Sequence, residues 1–322
     1  MAVEIRLSAA EVARVRLAVS PLTETVLGVR AALAGHGHEV HRAWVREARP
    51  VLAGEPELPL LRTLLGGCLP SFLFPVPEER LPAFEAELAR VCAMDAAYVE
   101  AECVAAVGST RAAELPPPAE LLERVADALA RCHDRLVAPH WGRMRAVLEA
   151  DVSRRAVALV DGGVEELFAQ LHGDVVWREG ELVVRGRRRA GGTWTVGAGG
   201  HGLVLMPCVF GWPDVIVDHS PRAAASIRYP AAGVGLLWEQ PRPTSAGLAA
   251  VLGRTRAALL AELGEPLATP DLAARLGVTA SAVSQHLGAL RGAGLVTTRR
   301  TGRTAVHLRT RTGTALTAEP PA

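Results

Sequence analysis

The segment from Thr269 to Gly294 constrains the fold more tightly than any other part of the chain. Thr269-Pro270-Asp271 combines an N-cap residue, a first-turn proline and an acidic residue, which predicts that a helix begins there. Gly277 permits a left-handed turn, and Thr279 is placed to cap a second helix. The segment therefore predicts two short helices joined by a tight glycine turn.

The second predicted helix has two chemically different faces. Val283, Leu287 and Leu290 follow one another at i, i+4 and i+7, which places them together on a buried face. The solvent side near the helix N-terminus carries polar residues: Ser281, Ser284 and Gln285, with His286 at the edge. Short polar side chains in this position suit a helix that reads base edges in a major groove.

A predicted hairpin follows the second helix. The runs LVTTRR and TAVHLRT alternate in strand fashion around Thr301-Gly302-Arg303. A two-stranded ribbon with a basic tip after a recognition helix is a wing, and its guanidinium groups can reach phosphates or a narrow minor groove.

The distribution of charge separates this end of the chain from the rest. All 35 basic residues are Arg. From residue 242 onward ten Arg stand against four acidic residues, a net charge of +6, whereas residues 1–241 carry −5. A basic C-terminal quarter on an acidic body indicates a polyanionic partner for that end alone.

Residues 269–310 resemble the winged helix-turn-helix of ArsR-type bacterial repressors. In that family S-x-V-S-x-H-L-x-x-L-x-x-A-G-L-V leads into the wing, and this chain meets every position between Ser281 and Val296. The resemblance covers about a fifth of the chain. The larger N-terminal part resembles the accompanying domain, of unassigned role, in actinobacterial regulators of this type.

The resemblance implies a sequence-specific transcriptional regulator, a dimeric repressor that binds double-stranded DNA. The residues predicted to contact DNA lie on the recognition helix and the wing: Thr279, Ser281, Ser284, Gln285, His286, Arg299, Arg300 and Arg303. Metal-sensing relatives carry a thiolate pair before the recognition helix, or His and acidic ligands on a terminal helix. Here that first position reads DLAARL, and the module contains no Cys, which argues against sensing of soft metals. We therefore expect no metal and no cofactor.

The first 171 residues predict mainly helices. Ser8 and Glu11 form a capping box for a helix expected to run through Val19, and Ser20-Pro21 begins the next one. Further helices are expected near 37–48, 57–66, 78–93, 95–107, 121–129 and 144–148, with breaks at 115–118 and 161–163.

After His172 the period changes to alternation, with a hairpin signal at Glu179-Gly180, and we expect an antiparallel sheet over 172–230. The predicted class is α+β. It consists of a helical and antiparallel-sheet body over 1–240, a winged helix-turn-helix over 244–310 and a disordered tail over 311–322.

Four patterns in the body allow a chemical interpretation beside a structural one. His36, His38 and His41 in HGHEVH do not share one helix face, so a solvated loop is favoured over zinc. In Cys132-His133-Asp134 adjacent helical residues diverge, which favours a buried Cys with surface His and Asp over a nucleophile. The GAGGHG run at 197–202 precedes no helix and is a weak phosphate cradle. The remaining pattern is aromatic and could line a pocket: Trp177, Trp194 and Trp212.

The sequence favours a cytoplasmic protein. Its start has no charged and apolar signal regions, and the longest uncharged run, 193–213, holds five Gly and two Pro and cannot span a membrane as a helix. The five Cys are odd in number, widely spaced and without a CxxC pair, which suits a reducing compartment.

Two interpretations of the whole chain remain. In the first, the body dimerises and senses a small-molecule effector for the DNA-binding module. In the second, an enzyme or ligand-binding domain in the body is tethered to that module. Residues 1–240 show no acid–base pair, metal set or nucleophile arrangement, so we do not expect an enzyme. The operator, the effector and the sign of regulation are left open by the sequence.

Overall fold

The computed structural model describes residues 2–34, 39–178, 180–185, 193–220, 223–238, 244–264, 266–301 and 304–317. The chain divides into two units, residues 1–238 and residues 239–322. The predicted α+β class with a C-terminal helix-turn-helix is confirmed.

The first unit is mainly helical over its first 170 residues. Its α-helices are α1 (Ala9–Val12), α2 (Pro21–Leu33), α3 (Arg42–Ala53), α4 (Leu58–Leu65), α5 (Phe84–Cys92), α6 (Ala96–Val107), α7 (Ser109–Ala112), α8 (Pro118–Cys132) and α9 (Trp141–Ala169). Single turns of 3₁₀ or π-helix lie at Glu39–His41, Ser71–Leu73, His133–Val137, Ala138–His140 and Val234–Leu236.

Both predicted N-caps at the start of the chain are confirmed. The Glu11 amide donates to Ser8 Oγ at 3.3 Å, and the Ser8 amide donates to the Glu11 carboxylate at 2.8 Å, which completes the capping box. Ser20 Oγ accepts from the Thr23 amide at 2.9 Å and opens α2. However, α1 ends after one turn and residues Arg16–Leu17 form a short strand, so the helix predicted through Val19 is wrong.

The strands of the first unit build two four-stranded sheets. The strands are β1 (Ala2–Arg6), β2 (Arg16–Leu17), β3 (Val175–Arg178), β4 (Glu181–Arg185), β5 (Thr193–Gly197), β6 (Leu203–Cys208), β7 (Ile216–Ser220) and β8 (Ala223–Pro230). One sheet has the order β3-β4-β1-β5 and the other has the order β2-β6-β8-β7.

Both sheets are mixed, so the antiparallel sheet predicted over 172–230 is wrong. Strand β1 is antiparallel to β4 but parallel to β5, with Ile5 opposite both Leu182 and Val196. Strand β6 is parallel to β2 and to β8. Alternating residues predict a strand without identifying its partner, and β1 pairs with strands about 180 residues later in the chain. The hairpin that joins β3 to β4 is confirmed, although Glu179 lies outside the described residues.

The body buries two apolar cores. One lies among the helices around Trp44, Leu64 and Phe72. The other joins the sheets to the end of α9 through Phe168 and Ile227. Helix α9 is interrupted at Gly163, where φ is 67°, in agreement with the predicted break.

The second unit is a small bundle with a three-stranded sheet of order β10-β11-β9. Its elements are α10 (Thr244–Leu252), α11 (Arg254–Glu262), β9 (Leu267–Ala268), α12 (Thr269–Leu276), α13 (Ala280–Gly292), β10 (Val296–Thr301), β11 (Thr304–Arg309) and α14 (Arg311–Thr317). Its core holds leucines of α11 to α13 together with Val283 and Val296.

The predicted disordered tail is wrong for its first seven residues, which form α14. Gly313 is buried in this helix, and a Cβ there would lie only 2.1 Å from the Leu295 carbonyl oxygen. The Gly313 amide donates to Thr310 Oγ1 at 3.1 Å. The close approach that glycine permits lets α14 dock on the segment that leads into β10. Residues 318–322 lie outside the described part of the chain.

Candidate nucleic-acid interface

The glycine turn between α12 and α13 forms as predicted. Gly277 adopts φ 62° and ψ 33°, a left-handed conformation that terminates α12. Thr279 then caps α13, because its Oγ1 accepts a hydrogen bond from the Ala282 amide at 3.2 Å. The hydroxyl oxygen is the acceptor in this bond, so the hydroxyl hydrogen of the exposed Thr279 can still be donated outward.

The predicted capping role of Thr269 is wrong. The N-cap of α12 is Ala268, with no side-chain cap, while Pro270 does occupy the first turn. The Thr269 hydroxyl is instead hydrogen-bonded to His307 Nε2 at 3.0 Å. A partner 38 residues later in the chain has taken the side chain that local capping rules assign to the helix start.

Helix α13 has the two faces that its sequence predicts. Val283, Leu287 and Leu290 are each at most 1% exposed and pack into the core of the second unit. On the opposite side the polar residues are at the surface: Ser281, Ser284 and Gln285 are exposed and His286 is half-buried. The core contacts therefore set the rotation of α13 and leave its polar face directed to solvent.

The predicted wing is an antiparallel hairpin. Strands β10 and β11 pair from Val296 opposite Arg309 to Thr301 opposite Thr304, and Arg299 is exposed. The backbone of Arg300 belongs to β10, but its side chain lies outside the described residues, as does the whole of Arg303. Strand β9 adds a third strand to β11 and joins the hairpin to the start of α12.

His307 is a buried residue of the wing that sequence reasoning did not single out. Its side chain is 5% exposed, and Nδ1 is 2.9 Å from Thr298 Oγ1 while Nε2 is bonded to Thr269. Loss of hydration on burial, with the positive charge of Arg291 adding to it, lowers the pKa of His307 below its usual value. His307 thus links both wing strands to the helix-turn-helix. The signal was present, because a turn at 302–303 places Thr298 opposite His307.

The histidine-rich run of the body is only partly described. His36 and His38 lie outside the described residues. His41 is 2% exposed, its Nδ1 accepts from Trp238 Nε1 at 3.1 Å, and its ring lies 5.2 Å from that of Phe210. The expected solvated loop is therefore wrong at His41, which belongs to an aromatic cluster.

The Cys132-His133-Asp134 segment places two of its three side chains inside the protein. Cys132 is buried as predicted, and burial raises the pKa of its thiol to about 12. His133 is buried rather than at the surface. It stacks on Phe84 with 3.8 Å between ring centroids, and its Nδ1 is 2.9 Å from Thr25 Oγ1. Asp134 is exposed, as predicted.

The glycine-rich run and the tryptophans are also located. In GAGGHG the Gly200 amide donates to the Glu11 carboxylate at 2.7 Å, so a side chain of the protein itself uses that donor. Trp177 packs against Phe168 at 5.0 Å between centroids, and Trp212 is 41% exposed. The side chain of Trp194 lies outside the described residues, and an aromatic pocket stays a prediction.

A buried polar cluster of the body was missed in the sequence. Glu87 Oε2 accepts from Ser20 Oγ and from the Leu22 amide, and burial raises the pKa of Glu87 to about 7. Arg228 lies with its guanidinium 4.3 Å from the Phe74 ring centroid. Three buried atoms here have no hydrogen-bond partner within the described part of the chain: Glu87 Oε1, Ser226 Oγ and Arg228 Nε.

These three atoms define a polar site inside the body. Ser226 and Arg228 are two residues apart on β8 and therefore share one face of the sheet. The charge of Arg228 also acts on Glu87 and favours its ionised form. Because buried polar atoms are nearly always hydrogen-bonded, a water or a small polar molecule is expected to complete the bonding here.

Two families match parts of this chain. Residues 238–299 match a family described as a helix-turn-helix domain, which takes in α10 to α13 and the first part of β10. Residues 111–235 match a family of unknown function, DUF5937. No curated protein and no solved structure is similar enough to count as a match. Within the described residues no helix is both long and apolar enough to cross a membrane. The second unit thus carries a helix-turn-helix domain, which indicates a DNA-binding transcription regulator.

Proposed function

We propose that this protein is an ArsR-type transcriptional repressor that binds specific double-stranded DNA sequences as a homodimer. The observation that carries the proposal is the division of α13 into a buried apolar face and an exposed polar one. A helix held by its core side, with short polar residues outward at its N-terminal end, can lie in a major groove and contact bases. The helix-turn-helix match over 238–299 supports the same surface.

The residues of the second unit divide the work. Gln285 can form two hydrogen bonds with adenine N6 and N7, and Ser281 and Ser284 are short enough to let α13 approach the groove floor. Thr279 and His286 stand beside them at the helix N-terminus and at the edge of the polar face. Arg299, Arg300 and Arg303 serve the wing, where each guanidinium neutralises a phosphate or enters a narrow minor groove.

Dimerisation supplies the specificity that one short helix lacks. A single recognition helix reads only a few base pairs, and two half-sites one helical turn apart double the sequence that is read. We assign dimerisation to the body, residues 1–238, which the second unit needs in order to place two recognition helices at that spacing.

We further propose that the body senses a small polar organic effector and is not an enzyme. The buried cluster around Glu87, Ser226 and Arg228 supports an effector site, because it presents both donor and acceptor atoms without partners. Against catalysis stands the use of other buried carboxylates. Glu24 accepts from the Val209 and Phe210 amides, and Asp151 accepts from Tyr229 Oη. Acting on chromosomal DNA, the protein would work in the cytoplasm.

Selection of genomic fragments by the full-length protein tests the proposal. We expect one enriched sequence with two related half-sites about 10 bp apart, and a reporter behind it that is silenced by the protein. Enrichment without any shared sequence would contradict specific recognition. An effector found by release of this DNA should be recovered chemically unchanged, whereas its turnover would favour the tethered enzyme.

A further inference from the structure

Helix α9 carries an apolar surface that is open to solvent. Val160 is 84% exposed and Val157 is 58% exposed, and the exposed Ala156 adjoins them. Residues three and four apart on a helix are neighbours, so these three side chains form one ridge just before the break at Gly163. We call Ala156, Val157 and Val160 the α9 ridge.

Opposite charges flank the α9 ridge along one edge. Arg154 and Asp161 are seven residues apart, which is two helical turns or about 10 Å, and both are exposed. Arg154 is 3.5 Å from Asp151, a loose contact, since Asp151 is already bonded by Tyr229, Arg155 and the Ala232 amide. The edge therefore has a basic end and an acidic end with valines between them.

This pattern is self-complementary. When two such helices pack antiparallel about a twofold axis, each edge meets the same edge of the other helix in reverse direction. Arg154 then faces Asp161 of the partner subunit at both ends, and the two ridges cover each other at the centre. Parallel packing would place like charges together, which is unfavourable.

We propose that the α9 ridge, flanked by Arg154 and Asp161, is the twofold interface between two copies of this chain. The inference rests on the proposed function in one respect, that a dimer is needed on DNA. The occupant is a second copy because the charges on the ridge complement themselves. The ridge lies on the body, so the interface forms in the same unit to which dimerisation is assigned.

Sedimentation velocity of the full-length protein over a concentration series tests the interface. Wild type should be a dimer, and Val160→Asp should raise the dimer dissociation constant at least about tenfold, because it places a charge in the apolar centre. Val251→Asp is the matched control, since Val251 is 83% exposed but lies on α10 of the other unit. That control should leave the dimer unchanged, and a control that dissociates it equally would overturn the proposal.

A charge exchange tests the antiparallel pairing separately. Arg154→Asp and Asp161→Arg should each weaken the dimer, and the double variant should restore it to within about threefold of wild type. A monomeric wild type, a dimer insensitive to Val160→Asp, or a double variant no better than the single ones would each overturn the proposal. Circular dichroism melting confirms that each variant is folded.

Failure of the interface and failure of the proposed function are distinguishable. If the inference is correct, Val160→Asp keeps weak binding to a single half-site and loses the tighter binding to the paired site. A wild-type dimer that responds to the ridge variants but binds no specific DNA would refute the regulator and leave the interface standing. A wild-type monomer that binds a paired site tightly would refute the interface alone.

Discussion

Replacement of His307 by Ala should weaken the second unit more than any change on its DNA-facing surface. The imidazole is 5% exposed and bonded through both nitrogens, to Thr298 and to Thr269. Each lost hydrogen bond costs about 1 kcal/mol net, and the cavity left by the ring adds a similar amount or more. We expect a loss of about 2–4 kcal/mol in the free energy of unfolding of this unit.

The assay is calorimetric unfolding of the full-length protein, in which the two units can melt in separate transitions. For a unit of this size, a loss of 1 kcal/mol lowers the midpoint temperature by about 4–8 °C, so the expected loss is easily resolved. His286→Ala is the matched control. It removes the same residue type from the half-buried edge of α13 and should leave the midpoint nearly unchanged.

The pH dependence of the same variant provides a second test. The pKa of His307 is lowered in the folded state, so the unfolded chain binds more protons between that pKa and the usual value. The stabilisation by neutral His307 is therefore fully present above about pH 6.5 and is lost as the pH falls through the folded-state pKa. The difference between wild type and His307→Ala should shrink toward acidic pH. A difference independent of pH, or no larger than that of His286→Ala, would refute this account of the wing.

Three further predictions concern recognition, sensing and the buried cluster. Gln285→Ala should cost about 1–3 kcal/mol on the cognate site and little on random DNA, whereas Arg299→Ala should weaken both and flatten the salt dependence by about one log–log unit; binding isotherms across a salt series decide, and equal losses for Gln285→Ala would show that α13 reads no bases. Arsenite, cadmium or zinc added to a preformed complex should not release DNA, because no Cys lies in the second unit, and release at stoichiometric metal would contradict this. Glu87 has its pKa raised to about 7, so its stabilising neutral form is fully present below pH 4.5 and lost as pH rises through 7; the stability of Glu87→Gln relative to wild type, from chemical denaturation, should therefore rise over that range, and a flat difference would contradict it.

Local signals determined most of the second unit. The Thr279 cap, the left-handed Gly277 and the i, i+4, i+7 spacing from Val283 all act within a few residues of one another. Interactions of this range are encoded in neighbouring positions, so the helix-turn-helix, its polar face and the wing hairpin could be predicted from the sequence alone. Which of these polar residues contact DNA stays a prediction.

Only the tertiary structure decided the pairing of distant segments. β1 enters a sheet with strands about 180 residues away, Thr269 leaves its capping role for His307, and His133 is drawn inward by Phe84 and Thr25. The partners of Ser226 and Arg228 likewise lie on elements far along the chain. Alternation, caps and spacing report which face a residue presents, but not which element meets that face. That choice depends on how all the apolar surfaces of the body can be buried together, and no local stretch of sequence contains it.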